Sequence, residues 1–131
     1  MTDVQGFLAG LAVTVVVLVG VIVSGMRERR RIHIPLVIVF FATLGTTIWF
    51  AERMGRALDL KAAGWITPVH LALAKTTTLA YALPMISGML ALTSERWKAR
   101  HKRLAWLLIA MTLATVATGA WMALKAPHLA P

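Results

Sequence analysis

Four histidines and one lysine are the side chains in this sequence best suited to chemistry inside an apolar setting. His33 and His101 stand at the starts of two apolar runs, His70 stands near the start of another, and His128 lies in the tail. Two imidazoles at one depth on different helices can ligate a haem iron from opposite faces or hold a metal ion. The plainer alternative for His33 and His101 is an interfacial histidine among arginines and lysines. For His70 it is a polar residue in a helix's first turn. Lys75 is the sharper anomaly. It sits well inside the third apolar run, followed by Thr76, Thr77 and Thr78, with Tyr81 a little further along. An ammonium buried at mid-membrane costs about 2.5–3.5 kcal/mol on insertion scales. Either its stem snorkels outward, or it meets an anionic group: a haem propionate, a lipid or quinone head group, or a carboxylate of a partner subunit.

Other chemistries lack their residues. Aspartate and glutamate are absent from the interiors of the apolar runs, which argues against a carboxylate proton relay. The chain has no cysteine, so thiolate metal sites and disulfides are excluded. It shows no phosphate loop, no zinc-protease helix motif and no serine–histidine–acid set. No independent catalytic activity is expected.

The elements that must position these residues are apolar helices. Hydrophobic residues make up 59% of the 131-residue chain, too many for a soluble domain to cover with polar surface. Four apolar runs, about 6–25, 32–51, 66–92 and 104–124, each approach or exceed the ~20 residues a helix needs to cross ~30 Å of hydrocarbon. The expected fold is therefore all-α: one integral membrane domain, 1–131, built as a four-helix bundle. The formal charge of +9 does not point to nucleic acid. The basic residues fall in short runs between spans, Arg27 and Arg29 to Arg31 in the first loop and Arg96, Lys98, Arg100, Lys102 and Arg103 in the third. The second loop and the tail carry less excess, so the first and third loops face the cytoplasm and both termini lie outside. Trp49, Trp65, Trp97 and Trp121 fall near span ends, where amphipathic rings prefer to sit. In this topology His33 and His101 share the cytoplasmic boundary, while His70 and His128 lie toward the outer one.

Local signals refine the boundaries. Thr67-Pro68 reads as an N-cap followed by proline at the first helical position. Pro84 should kink the third helix, and Ser94-Glu95 should cap an extension ahead of the fourth span. Gly64 reads as a breaker. Gly6 and Gly10, and Ala110, Ala114 and Thr118, repeat every four residues as small-residue ridges for close helix packing.

From Arg31 to Leu124 the pattern resembles a bacterial four-helix membrane family, numbered 420 among domains of unknown function, some of whose members are linked to terminal oxidase assembly. Arg31-Ile32-His33 and Pro68-Val69-His70 match its histidine-bearing helix starts. Arg100-His101-Lys102-Arg103-Leu104-Ala105, with Thr118-Gly119 later, matches its last helix. The sequence departs from the family at the end of the second helix, where Glu52, Arg53, Met54 and Gly55 stand without a histidine; either Met54 replaces the missing ligand or the outer site is inactive. The resemblance implies a subunit or assembly protein of a respiratory or other electron-transfer complex in the bacterial inner membrane. Its partners would be lipids and a larger membrane complex, and its cofactor haem b or a metal. His33 and His101 would be the inner ligands, His70 an outer candidate, and Lys75 the partner of an anionic group. A cofactor-free subunit that fills space in a larger complex is the alternative.

Overall fold

The computed structural model describes residues 2–127. The described residues are helical throughout, with no strand: α1 Asp3–Met26, α2 Arg30–Gly55, α3 Ile66–Ala80, α4 Ala82–Ala91 and α5 Glu95–Lys125. They divide into two compact units, Met1–Leu58 and Asp59–Pro131. The first is a hairpin of α1 against α2. The second is a hairpin of α3 and α4 against α5. Three helices, α1, α2 and α5, are each long and apolar enough to cross a membrane.

The third apolar run is not one helix. It breaks at Tyr81 into pieces of 15 and 10 residues. Pro84 explains the break, because it has no N–H to return to the Ala80 carbonyl and its ring crowds that turn. The chain passes through with Tyr81 N–H bonded to the Thr77 carbonyl and Met85 N–H to that of Tyr81. Tyr81 itself keeps right-handed helical backbone, φ −59° and ψ −23°, so the irregularity expected near Pro84 is confined to this one residue.

Two start signals behave differently from expectation. Helix α3 begins at Ile66 with Trp65 in the cap position, so Thr67 is not the N-cap. Its hydroxyl donates to the Leu60 carbonyl instead, and Pro68 occupies the first turn, where a missing N–H is harmless. Ser94 does occupy the cap position of α5 in extended backbone, but without a side-chain cap bond, and α5 then runs unbroken for 31 residues. Gly64 is a true breaker, at φ +78°. An unpredicted capping box starts α1: the Gln5 N–H donates to the Thr2 hydroxyl and the Thr2 N–H to the Gln5 side-chain oxygen.

Each hairpin is packed inside out by the standards of a soluble protein. Its buried positions include Thr14, Ser24, Thr47, Thr77 and Ser87. Its large apolar side chains point outward, Val16, Leu79 and Leu124 among the most exposed. Small and hydroxyl-bearing residues between helices, with apolar residues outside, is the pattern of helices whose surroundings are as apolar as leucine. Gly6 and Gly10 are the contact ridge of α1: a Cβ on Gly6 would lie 2.4 Å from the Phe50 ring, and one on Gly10 2.8 Å from the Thr47 hydroxyl. In the second hairpin Ala110 and Ala114 are exposed, and only Thr118 of that ridge faces the partner helix.

Candidate functional site: histidine seats within the hairpins

His33 lies in the first turn of α2, and its ring rests on the end of α1. A Cβ on Gly25 would come within 3.1 Å of the ring's Cε1, so a larger residue there would press the ring aside by a few tenths of an ångström. The neighbouring Ser24 is buried, and its hydroxyl donates to the Val21 carbonyl at 3.0 Å. The ring's Nδ1 lies 3.2 Å from that hydroxyl and 3.0 Å from the same carbonyl. A carbonyl only accepts, so Nδ1 carries the proton. In the neutral ring Nε2 then holds the lone pair, the nitrogen able to bind a metal or a haem iron.

His101 repeats this arrangement in the second hairpin. Its ring rests on Gly88, where a Cβ would approach Cε1 to 3.1 Å. The buried Ser87 hydroxyl donates to the Pro84 carbonyl at 3.3 Å and lies 3.2 Å from His101 Nδ1. If the serine hydrogen stays on the Pro84 carbonyl, Nδ1–H donates to the serine and the ring has the same tautomer.

His70 occupies a third seat of the same design, with the helix roles exchanged. The histidine is on the first helix of its hairpin and the glycine on the last. Gly119 would place a Cβ 2.7 Å from His70 Cε1. Thr118 donates to the Ala114 carbonyl at 2.9 Å and accepts from His70 Nδ1 at 3.1 Å. About 25 Å of helical rise separates residue 70 from residue 87, so His70 and His101 occupy opposite ends of one hairpin and cannot serve one metal ion.

These seats expose an internal repeat. The α1 positions Thr14, Ser24, Gly25 and Met26 correspond to Thr77, Ser87, Gly88 and Met89; the α2 positions His33 and Thr47 correspond to His101 and Thr115. The correspondence is physical as well as sequential. Thr14 and Thr47 hydroxyls are bonded at 3.0 Å, as are Thr77 and Thr115. Phe40 and Leu108, also equivalent, are both buried. In the same register His70 and Thr118 correspond to Phe7 and Phe50, so the third seat exists only in the second hairpin.

Sequence reasoning found the histidines and missed the serines and glycines that hold them. The available signal was the Ser-Gly-Met triplet at 24–26 and again at 87–89. Lys75 is exposed on α3, and Met54 is half-buried near the end of α2. His128 lies outside the described residues. No group of three or more metal-ligating side chains occurs among the described residues. Tryptophans near helix ends carry cations: Arg53 lies 4.8 Å from the Trp49 ring, Arg100 4.9 Å from Trp97 and Lys125 5.5 Å from Trp121. A salt bridge from Arg53 to Asp3, 2.9 Å, closes the loop-distal end of the first hairpin. Comparison with known proteins returned no matching family model, no matching curated protein and no matching solved structure.

Proposed function

We propose that this chain is a small multi-pass membrane subunit or assembly protein of a bacterial respiratory or other electron-transfer complex, in which His33 and His101 are ligands to haem b or a metal through Nε2. The observation that carries the reading is the duplicated seat: each hairpin uses a buried serine and a glycine to hold one histidine in the same tautomer. Metal-ligating histidines are oriented in this way, by an Nδ1–H bond to a carbonyl or hydroxyl behind the ring. Exposed Arg29, Arg30 and Arg31 near His33, and Arg100, Lys102 and Arg103 around His101, suit the propionates of a haem. A bound haem would supply reversible one-electron chemistry. Chain topology assigns both histidines to the cytoplasmic side. His70 is a separate outer candidate, and Lys75 the partner of an anionic group. The inside-out packing supports four membrane crossings in a bundle, and the basic first and third loops support outside termini. The respiratory setting is what the resemblance of 31–124 implies, since some members of that family are linked to terminal oxidase assembly.

The optical spectrum of the purified full-length chain tests the cofactor. A Soret band that shifts on reduction is expected, lost in both His33→Ala and His101→Ala and retained in His128→Ala. A cofactor-free structural role is the second reading. It is favoured by the same bonds, since Ser24, His33 and Val21 tie α1 to α2 whether or not Nε2 holds anything. A colourless, metal-free wild-type protein decides for it. Topology is checked separately: cysteines at Thr2 and Lys61 should react with an impermeant thiol reagent in sealed cells, and one at Arg29 should not.

A further inference from the structure

Lys75 is the charge that neither hairpin accounts for. It projects from an exposed stripe of α3 formed by Ala72, Lys75, Thr76 and Leu79, spaced as one helix face. The stripe lies away from the face that packs on α5, where Thr77 bonds Thr115. In the repeat register its equivalents in the first hairpin are Ala9, Ala12, Val13 and Val16, with no charge. The cation is therefore a special feature of this one face and not a requirement of the hairpin.

Its depth restricts what it can meet. Trp65 and Trp121 stack edge to face at 6.0 Å, with the Lys125 ammonium over Trp121. Such an aromatic–cation group marks a membrane interface. Lys75 is ten residues beyond Trp65, about 15 Å of rise, half of the ~30 Å hydrocarbon thickness. A stem of four methylenes covers less than half of that distance, so head-group phosphate lies out of reach. The chain's own acids offer no counter-ion at this depth. Asp3, Glu28, Glu52, Asp59 and Glu95 all stand in loops or terminal turns, and a second copy would bring the same set. Ala72 and Thr76, four residues apart beside Lys75, form a small-residue step that lets another backbone approach closely.

We infer that this face is a docking surface for a transmembrane helix of a partner protein that carries an aspartate or glutamate in its interior, paired with Lys75. The inference rests on the membrane-spanning part of the proposed function and is independent of haem.

The test uses the full-length chain in phosphatidylcholine vesicles with two synthetic probes: a leucine-rich transmembrane helix with one central aspartate, and its all-leucine counterpart. Association is read by energy transfer between labels. The aspartate helix should bind about tenfold more tightly than the leucine helix, the order of a single charge pair out of water. Lys75→Met should abolish the difference and Lys75→Arg should keep it. Equal binding of the two probes, or a difference that survives in Lys75→Met, overturns the inference. So does loss of the difference when phosphatidylglycerol is added, which would assign Lys75 to lipid. Resistance of wild type and Lys75→Met to alkaline extraction keeps the two levels apart: extraction of both removes the membrane reading itself, whereas resistant proteins without aspartate preference remove only the docking surface.

Discussion

The first hairpin and the second share a skeleton and differ in what is hung on it. Both tie their helices with a threonine pair in the middle and a serine–glycine–histidine seat at the loop end. At the other end they part. The first closes with Phe50 against Gly6 and with the Asp3–Arg53 salt bridge. The second places His70 on Thr118 and Gly119, breaks its first helix at Tyr81 and exposes Lys75. The polar features present twice form the shared frame that seats His33 and His101, and those present once distinguish one hairpin from the other.

The comparison breaks most visibly at the histidines. His33→Ala and His101→Ala should each remove the Soret band, while His70→Ala should leave that band in place, because its seat is at the far end of its hairpin. Loss of the band in His70→Ala would show that the duplicated seats are not what defines the cofactor site.

A smaller but still large effect is expected at the seat glycines. Gly119→Ala puts a methyl 2.7 Å from a ring carbon and should destabilise the protein by about 1–3 kcal/mol, as overpacking does. Gly25→Ala and Gly88→Ala meet their rings at 3.1 Å and should be milder. Thermal unfolding in one detergent ranks the three; equal losses at all three would contradict the difference in fit.

The serines sharpen the contrast further. Nitrogen-15 spectra of histidine-labelled protein should show the Nδ1–H form at His33 and His101. Ser24→Ala should preserve it at His33, because the Val21 carbonyl still accepts from Nδ1. Ser87→Ala should weaken it at His101, whose Nδ1 is held by the serine hydroxyl. The reverse order would mean the two seats are not built as described.

The smallest effect lies mid-hairpin. Thr14→Val and Thr77→Val should each cost about 0.6 kcal/mol, the average for an interhelical hydrogen bond within a membrane. Unequal losses, read by the same unfolding assay, would show that the threonine pairs are not equivalent.

The helical class, the apolar runs and an irregularity near Pro84 were legible because they depend on local properties: run length, hydropathy and the missing proline N–H; its position at Tyr81 was not. The histidine seats were not legible, for a geometric reason. Ser24 and His33 are 9 residues apart, whereas Ser87 and His101 are 14 apart. The five additional residues do not lengthen the loop. They lengthen the helix ends around it, since α4 runs on to Ala91 past Gly88 and α5 starts at Glu95, well before His101. Two copies of one contact therefore show no common spacing, and only the separate registers of the first and second helices reveal them. Thr67 was misread because serine, threonine and proline near a helix start suit both the cap and the first turn, and the Leu60 carbonyl decided between them.

Among the described residues, hydroxyl and imidazole bonds join the two arms within each hairpin: Thr14 to Thr47 and His33 to Val21 in the first, His70 to Thr118, Thr77 to Thr115, Tyr81 to Thr112 and His101 to Ser87 in the second. For a chain made from one end to the other, this sets an order of assembly. Once α2 has left the ribosome, every one of the first hairpin's bonds has its partner already synthesised, and that hairpin can zip while α3 is still being made. The second hairpin must wait for the last turns of α5, since His70 finds Thr118 only when almost the whole chain has emerged. During that interval His70 is still without Thr118, and Thr77 without Thr115.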